Sequence, residues 1–115
     1  MLLELLHNKT SQAIQDYSKY TAFDPEEPAS YKFRGDCYRM LEQYAEAIQD
    51  YDAAIERDPE YALAHYNRGL TYEKLGQNEQ AANDYNVYLK LRGTEDENAD
   101  KIRQQIRELG YTSEF

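Results

Sequence analysis

The sequence has few of the residues that crosslink a fold or anchor it in a membrane. It contains one cysteine, Cys37, so no disulfide can form within the chain and the fold does not depend on an oxidising compartment. The most apolar stretch, residues 1–6, is interrupted by Glu4 and has no basic leader. It is too short for an export signal or a membrane span. We expect a cytoplasmic protein, or a piece of a longer one, without a membrane segment.

Positive charge is also scarce. The chain has 13 basic and 22 acidic residues, which gives a net charge of −9. Proteins that bind nucleic acids or anionic membranes normally present a basic surface to the phosphates. The composition therefore argues against DNA, RNA and membranes as primary partners. With only three prolines and five glycines, it favours regular elements joined by short turns.

What the sequence does contain is an internal repeat. Residues 13–17 read Ala-Ile-Gln-Asp-Tyr, and the same five residues return 34 positions later at 47–51. The same offset carries the dipeptide Arg34-Gly35 to Arg68-Gly69. A fixed period of this length indicates a stacked repeat protein, in which each unit buries its apolar face against its neighbours.

Each period contains two stretches with apolar or small residues at helical spacing. The predicted helices cover residues 11–23, 28–41, 44–57, 62–75 and 78–91. Polar turns at Glu42-Gln43 and Gly76-Gln77 join them in pairs, and Pro59 ends one because proline disfavours helix interiors. A short segment, 1–7, precedes residues 11–23 as an incomplete hairpin partner. A last helix is expected after Thr94 as N-cap, with an apolar stripe formed by Ala99, Ile102, Ile106 and Leu109.

These units resemble the tetratricopeptide repeat (TPR), whose signature is W-x2-L-G-x2-Y, then A-x3-F, then P. The chain reads Tyr31-x2-Arg34-Gly35-x2-Tyr38, then Ala47-x3-Tyr51, then Pro59. The resemblance implies an all-α, right-handed superhelical α-solenoid of antiparallel helix hairpins. Its parts would be a partial N-terminal hairpin (1–27), two repeats (28–61 and 62–95), a capping helix (96–110) and a tail (111–115).

In TPR proteins the first helix of each hairpin lines a concave groove that holds a peptide or partner protein. The matching positions, which we predict to bind a partner, are Lys32, Phe33, Asp36, Arg39, Met40, Leu63, Tyr66, Asn67, Leu70, Lys74 and Lys101. One TPR subfamily binds acidic chaperone tails with a carboxylate clamp. Lys32, Asn67 and Lys101 fit that pattern, but Asp36 and Glu97 replace an Asn and a Lys of the clamp and would repel a carboxylate.

No catalytic, cofactor-binding or metal-ligating constellation stands out. The tripeptide Arg34-Gly35-Asp36 lies within a predicted helix and follows the repeat, so we interpret it structurally. His65 takes the aromatic position of the signature and is expected to pack. The acidic residues of the second helices are expected to form a solvated face: Glu46, Asp50, Asp52, Glu56, Glu79 and Asp84.

The sequence thus predicts a non-enzymatic protein–protein interaction module, with a scaffold or adaptor role. The alternative is a structural self-assembly unit, because Leu2, Leu3, Leu5 and Leu6 have too little of their own chain to cover them. A third interpretation, a TPR fragment of a larger multidomain protein, also stays open.

Overall fold

The fold is entirely helical. The computed structural model describes all residues from Met1 to Phe115 and contains six α-helices and no strands. They are α1 (Leu2–Phe23), α2 (Pro28–Met40), α3 (Tyr44–Arg57), α4 (Ala62–Lys74), α5 (Asn78–Arg92) and α6 (Ala99–Glu108). Two compact units are formed, Met1–Pro59 with α1 to α3 and Glu60–Phe115 with α4 to α6. None of the six helices combines the length and the apolar character that a membrane span requires.

In the first unit α2 packs against both α1 and α3. A three-residue turn joins α2 to α3, so the two helices run back along each other as a hairpin. They approach closely at Gly35, where a Cβ atom would lie only 3.0 Å from Cε1 of the buried Tyr51 ring. The absence of a side chain at Gly35 therefore leaves space for the Tyr51 ring.

The second unit is built in the same way and has the larger core. Helix α5 packs against α4 on one side and α6 on the other. The fully buried side chains of Tyr85, Tyr88, Leu89, Ile102 and Ile106 form its centre. The predicted apolar stripe of the last helix is confirmed, because Ala99, Ile102 and Ile106 are buried and Leu109 packs against them.

Two sequence-based expectations were wrong. Residues 1–27 do not contain a partial hairpin, because residues 2–23 form one continuous helix of 22 residues. Both real hairpin turns use a residue with positive φ, Glu42 (61°) and Gly76 (74°), and no residue of α1 has this conformation. The last helix begins later than expected, at Ala99, and its N-cap is Asn98 rather than Thr94.

The tail at 111–115 is tied to the second unit. The backbone N–H of Glu114 donates to Oδ1 of Asn86 (2.9 Å), and Nε of Arg103 donates to the carbonyl oxygen of Phe115 (2.9 Å). These contacts join the tail to both α5 and α6.

Candidate functional site

The first helix of each hairpin is held in place by a buried ion pair. Arg34 donates from Nε and Nη2 to the two carboxylate oxygens of Asp50, at 2.8 and 2.7 Å. Arg68 makes the same bidentate contact with Asp84. Asp50 is 4% exposed and Asp84 is 3% exposed, so the prediction that both lie on a solvated face was wrong. The hydrogen bond to Asp50 raises the pKa of Arg34, which keeps the guanidinium charged.

Five predicted site residues lie on α2, and we name this set the α2 face: Lys32, Phe33, Asp36, Arg39 and Met40. Lys32 is only 8% exposed, and its Nζ lies 2.8 Å from Oδ2 of Asp36. The same ammonium group lies 4.8 Å from the centre of the Phe33 ring, within cation–π range. The positive charge of Lys32 is therefore largely neutralised within α2.

Asp36 and Arg39 also contact the second helix of their hairpin. The Tyr51 hydroxyl donates to Oδ1 of Asp36 at 2.5 Å, and Nε of Arg39 donates to the same hydroxyl oxygen at 3.3 Å. Burial, and then the nearby Asp36 carboxylate, raise the pKa of Tyr51 above its ordinary value of 10.0. These polar groups thus stabilise the hairpin.

The apolar members of the α2 face are exposed. Phe33 stacks on Tyr17 of α1, with ring centres 5.8 Å apart, yet it remains partly open to solvent. Met40 lies at the last turn of α2 and is more exposed than Phe33. The α2 face therefore offers apolar contact area with little net charge.

In the second unit three of the predicted residues, Leu63, Tyr66 and Lys101, line a pocket of about 90 Å³. We name it the α4–α6 pocket, and it is lined by Leu63, Tyr66, Tyr88, Asn98, Lys101 and Ile102. The Tyr66 ring lies 5.5 Å from the Tyr88 ring and 5.4 Å from the Tyr85 ring, and its hydroxyl donates to Oε1 of Gln105 at 3.1 Å. The pocket is well below the roughly 300–1,000 Å³ of small-molecule sites, so it suits a single side chain.

The other predicted residues of this unit lie outside the pocket. Leu70 is half-buried against the core cluster, and the backbone carbonyl of Asn67 accepts a hydrogen bond from Thr71 (2.8 Å). Lys74 is exposed at the last turn of α4. The structure therefore brings Leu63, Tyr66 and Lys101 together, while Asn67, Leu70 and Lys74 occupy other positions on α4.

Sequence reasoning missed four residues around this pocket: Tyr88, Asn98, Ile102 and Gln105. Tyr88 carried only a weak signal, because the 34-residue offset places both Ala54 and an aromatic residue, Tyr20, at equivalent positions. The contribution of α6 carried no such signal, since that helix has no counterpart in the period.

The remaining chemistry-bearing residues serve packing. Arg34, Gly35 and Asp36 all lie inside α2, with Gly35 buried. His65 is buried, and its Nδ1 lies 3.5 Å from Oδ1 of Asp84. Cys37 is half-buried, and burial raises the pKa of its thiol. No group of three or more His, Cys, Asp or Glu side chains is placed to hold a metal ion.

Solved structures with the same fold cover most of the chain. The first TPR of Spaghetti (RPAP3), bound to the HSP90 peptide SRMEEVD, is 28% identical with a TM-score of 0.80, and the match covers 90% of this chain and 82% of that one. The TPR2B domain of yeast Sti1, in complex with pHsp70, is 20% identical (TM-score 0.81, covering 90% and 84%). SycD of Yersinia enterocolitica, with a peptide of the translocator YopD, is 15% identical (TM-score 0.83, covering 95% and 92%).

Family profiles agree with the structural likeness. The profile described as "TPR repeat" matches residues 35–76, and the profile described as "Tetratricopeptide repeat" matches residues 62–94. No curated protein matches the sequence significantly. With its paired helices, its 34-residue period and these matches, the chain belongs to the tetratricopeptide repeat family and has the all-α fold of TPR solenoids.

Proposed function

We propose that the chain is a non-enzymatic interaction module that binds a peptide segment of another protein. The observation that carries this proposal is the α4–α6 pocket, an aromatic-walled cavity sized for one side chain and bordered by the exposed Lys101. Aromatic residues in well-packed pockets are the usual centres of binding energy at protein interfaces. The peptide-bound relative that is 28% identical supports the same role. A scaffold role and a cytoplasmic location stay predictions.

In this proposal an apolar side chain of the ligand inserts between Leu63, Tyr66 and Tyr88. In the first unit, Phe33 and Met40 of the α2 face offer apolar contact area of their own. Within the second unit, the polar residues Asn67 and Lys74 of α4 set the register of the ligand. Lys32 contributes through packing on Phe33 rather than through a free charge, because Asp36 already neutralises it.

A matched pair of leucines tests the pocket. Leu63 and Leu75 are both 44% exposed and both belong to the α4 region, but only Leu63 lines the pocket. A peptide selected from a phage-displayed library on the wild-type chain should bind Leu63→Glu at least tenfold more weakly, about 1.4 kcal/mol. Binding to Leu75→Glu should be unchanged. Equal losses in the two variants, measured by calorimetry, would remove the pocket from the proposal.

A second experiment concerns the class of ligand. The peptide SRMEEVD, which the RPAP3 domain binds, should bind the wild-type chain poorly, because Asp36 and Glu97 place carboxylates in the clamp motif. The double variant Asp36→Asn with Glu97→Lys should gain affinity for it by at least tenfold. Tight binding by the wild type would show that this chain is an acidic-tail clamp after all.

The second candidate function is self-assembly, and the exposure of the N-terminal leucines favours it. Leu2, Leu3, Leu5 and Leu6 are all more than half exposed. A contiguous apolar patch of this kind on a folded domain usually marks an interaction surface.

A further inference from the structure

Helix α1 carries an exposed stripe along its whole length of about 33 Å. Its members recur every three or four residues, a spacing that puts them on one side of a helix. They are Leu2, Leu5, Lys9, Gln12, Asp16, Tyr20 and Phe23, and all are exposed. At the two ends, Leu2 is 78% exposed and Phe23 is 90% exposed. Large apolar side chains thus lie in solvent at both ends of the stripe, with charges towards the middle.

The stripe is separate from the side of α1 that contacts α2. That side carries Tyr17, which stacks on Phe33, and Ser18 and Thr21, whose hydroxyl groups accept from Nη1 of Arg34 at 3.2 Å. At 100° per residue these three residues lie on a different flank of the helix from the stripe. The stripe therefore remains available when α1 and α2 are packed.

The stripe of one α1 is complementary in apolar character and charge to the stripe of a second α1 that runs in the opposite direction. The midpoint of α1 falls between Gln12 and Ala13, and stripe residues lie at equal distances on either side of it: Leu2 with Phe23, Leu5 with Tyr20, and Lys9 with Asp16. Two copies of α1 packed antiparallel about this midpoint would place apolar residues opposite apolar ones. They would also form the Lys9–Asp16 ion pair twice. A parallel arrangement would instead bring Lys9 against Lys9 and Asp16 against Asp16.

The charges in the stripe have no partner within the chain. The residues equivalent to Asp16 in the other periods, Asp50 and Asp84, are buried against Arg34 and Arg68. Asp16 has no arginine opposite it and stays exposed, and Lys9 likewise forms no ion pair in the chain. One cation and one anion are thus left at positions that match only when a second α1 runs in the opposite direction.

We propose that the chain forms a two-fold homodimer through antiparallel packing of α1 against α1 of a second copy. This inference rests on the self-assembly function, and it adds the geometry of the interface, the residues that form it and the identity of the partner, a second copy of the chain. Apolar contact of Leu2, Leu5, Tyr20 and Phe23 supplies the affinity. The two Lys9–Asp16 pairs set the direction, since like charges directly opposed disfavour the alternative.

Charge reversal tests the pairing by analytical ultracentrifugation. The wild-type chain should sediment as a dimer. Lys9→Glu and Asp16→Lys should each raise the dissociation constant at least tenfold, because each opposes like charges at two places. An equimolar mixture of the two variants should recover a heterodimer, because the two introduced charges then face each other and the native Asp16 of one chain faces the native Lys9 of the other. The double variant should recover the homodimer.

Glu4→Lys is the matched control, since it is an equal charge change off the stripe and should leave the dimer intact. Circular dichroism of each variant confirms that α1 is still helical. A wild-type chain that stays monomeric at millimolar concentration overturns both the pairing and the self-assembly function. A wild-type dimer whose two variants do not recover a heterodimer on mixing overturns the antiparallel pairing and leaves self-assembly through another surface. Neither result bears on the α4–α6 pocket, since Leu63 lies outside the stripe.

Discussion

At the scale of single residues, equivalent positions of the two hairpins show which side chains the fold requires. The turn after the first helix needs a positive φ in both units, and the second unit supplies Gly76 at 74°. The first unit places Glu42 there at 61°, a conformation that disfavours any residue with a Cβ atom. The same turn is therefore relaxed in one unit and strained in the other.

We expect Glu42→Gly to stabilise the chain by about 1 kcal/mol, since it removes the left-handed strain of roughly 1–2 kcal/mol at some cost in unfolded-state entropy. Gly76→Ala should destabilise by a similar amount. Urea unfolding followed by circular dichroism measures both. A destabilised Glu42→Gly variant would mean that the glutamate side chain contributes a contact that outweighs its backbone strain.

At the scale of elements, a bidentate Arg–Asp contact crosslinks the two helices of each hairpin. Both pairs are part of the interior, with Asp50 and Asp84 almost inaccessible to solvent. Removing one partner of such a pair leaves a charge without compensation, which costs more than the pair itself contributes. The two helices of a hairpin are thus held together by the Arg–Asp ion pair and, one residue further along, by packing of the tyrosine ring against the glycine.

Asp84→Ala should lower the free energy of unfolding by about 3 kcal/mol, because Arg68 and His65 would lose their buried carboxylate. Glu79→Ala is the control, since Glu79 is an exposed acid on the same helix and should change stability by less than about 0.5 kcal/mol. Thermal unfolding of both variants provides the comparison. Similar losses in the two variants would contradict the role assigned to the ion pair.

The helices themselves could be predicted because their spacing repeats. Helices α2 to α5 begin and end within one residue of the predicted bounds. The full length of helix α1 could not be predicted, because nothing in the local sequence distinguishes a short turn near residue 8 from a continuous helix. The start of α6 was misplaced since Thr94 and Asn98 are both good N-caps, and the choice depends on packing of Ala99 against the core.

The candidate site was less predictable than the helices. The TPR resemblance implies which helix of each hairpin lines the groove, but it does not report contacts between side chains of different elements. It could not reveal that Asp36 neutralises Lys32 or that α6 completes a pocket around Tyr66. Charge alone predicts that the acidic residues of α3 and α5 lie in solvent, whereas Asp50 and Asp84 each contact an arginine sixteen residues earlier.

At the scale of the whole molecule, the second helix of each hairpin has a buried tyrosine whose hydroxyl donates to a carboxylate of the first helix. Tyr51 donates to Asp36, and Tyr85 donates to Glu73 at 2.6 Å. Burial, and then the neighbouring carboxylate, raise the pKa of both phenols above 10.0. The folded chain therefore resists ionisation of these two groups, while the unfolded chain does not.

The free energy of unfolding should consequently fall as the pH rises above about 10. In that range an unfolded tyrosine loses a proton that the folded one keeps, so stability decreases by about 1.4 kcal/mol per pH unit for each of the two. Below pH 10 their contribution is fully present. Denaturant titrations over this range should show a shallower slope for Tyr51→Phe and for Tyr85→Phe. An unchanged slope would contradict the assignment.

Tyr111→Phe is the control for that series, because Tyr111 is an exposed tyrosine outside both hairpins. Its slope should equal that of the wild type.

The Arg–Asp pair and the Gly–Tyr contact both lie inside one hairpin, from Arg34 to Tyr51 and again from Arg68 to Tyr85. Unequal crossing-over between the two coding repeats would therefore duplicate or delete a hairpin without separating any of these partners. Recombination could therefore add a hairpin to the chain without breaking these contacts. A new copy would be free to diverge at positions such as Tyr88.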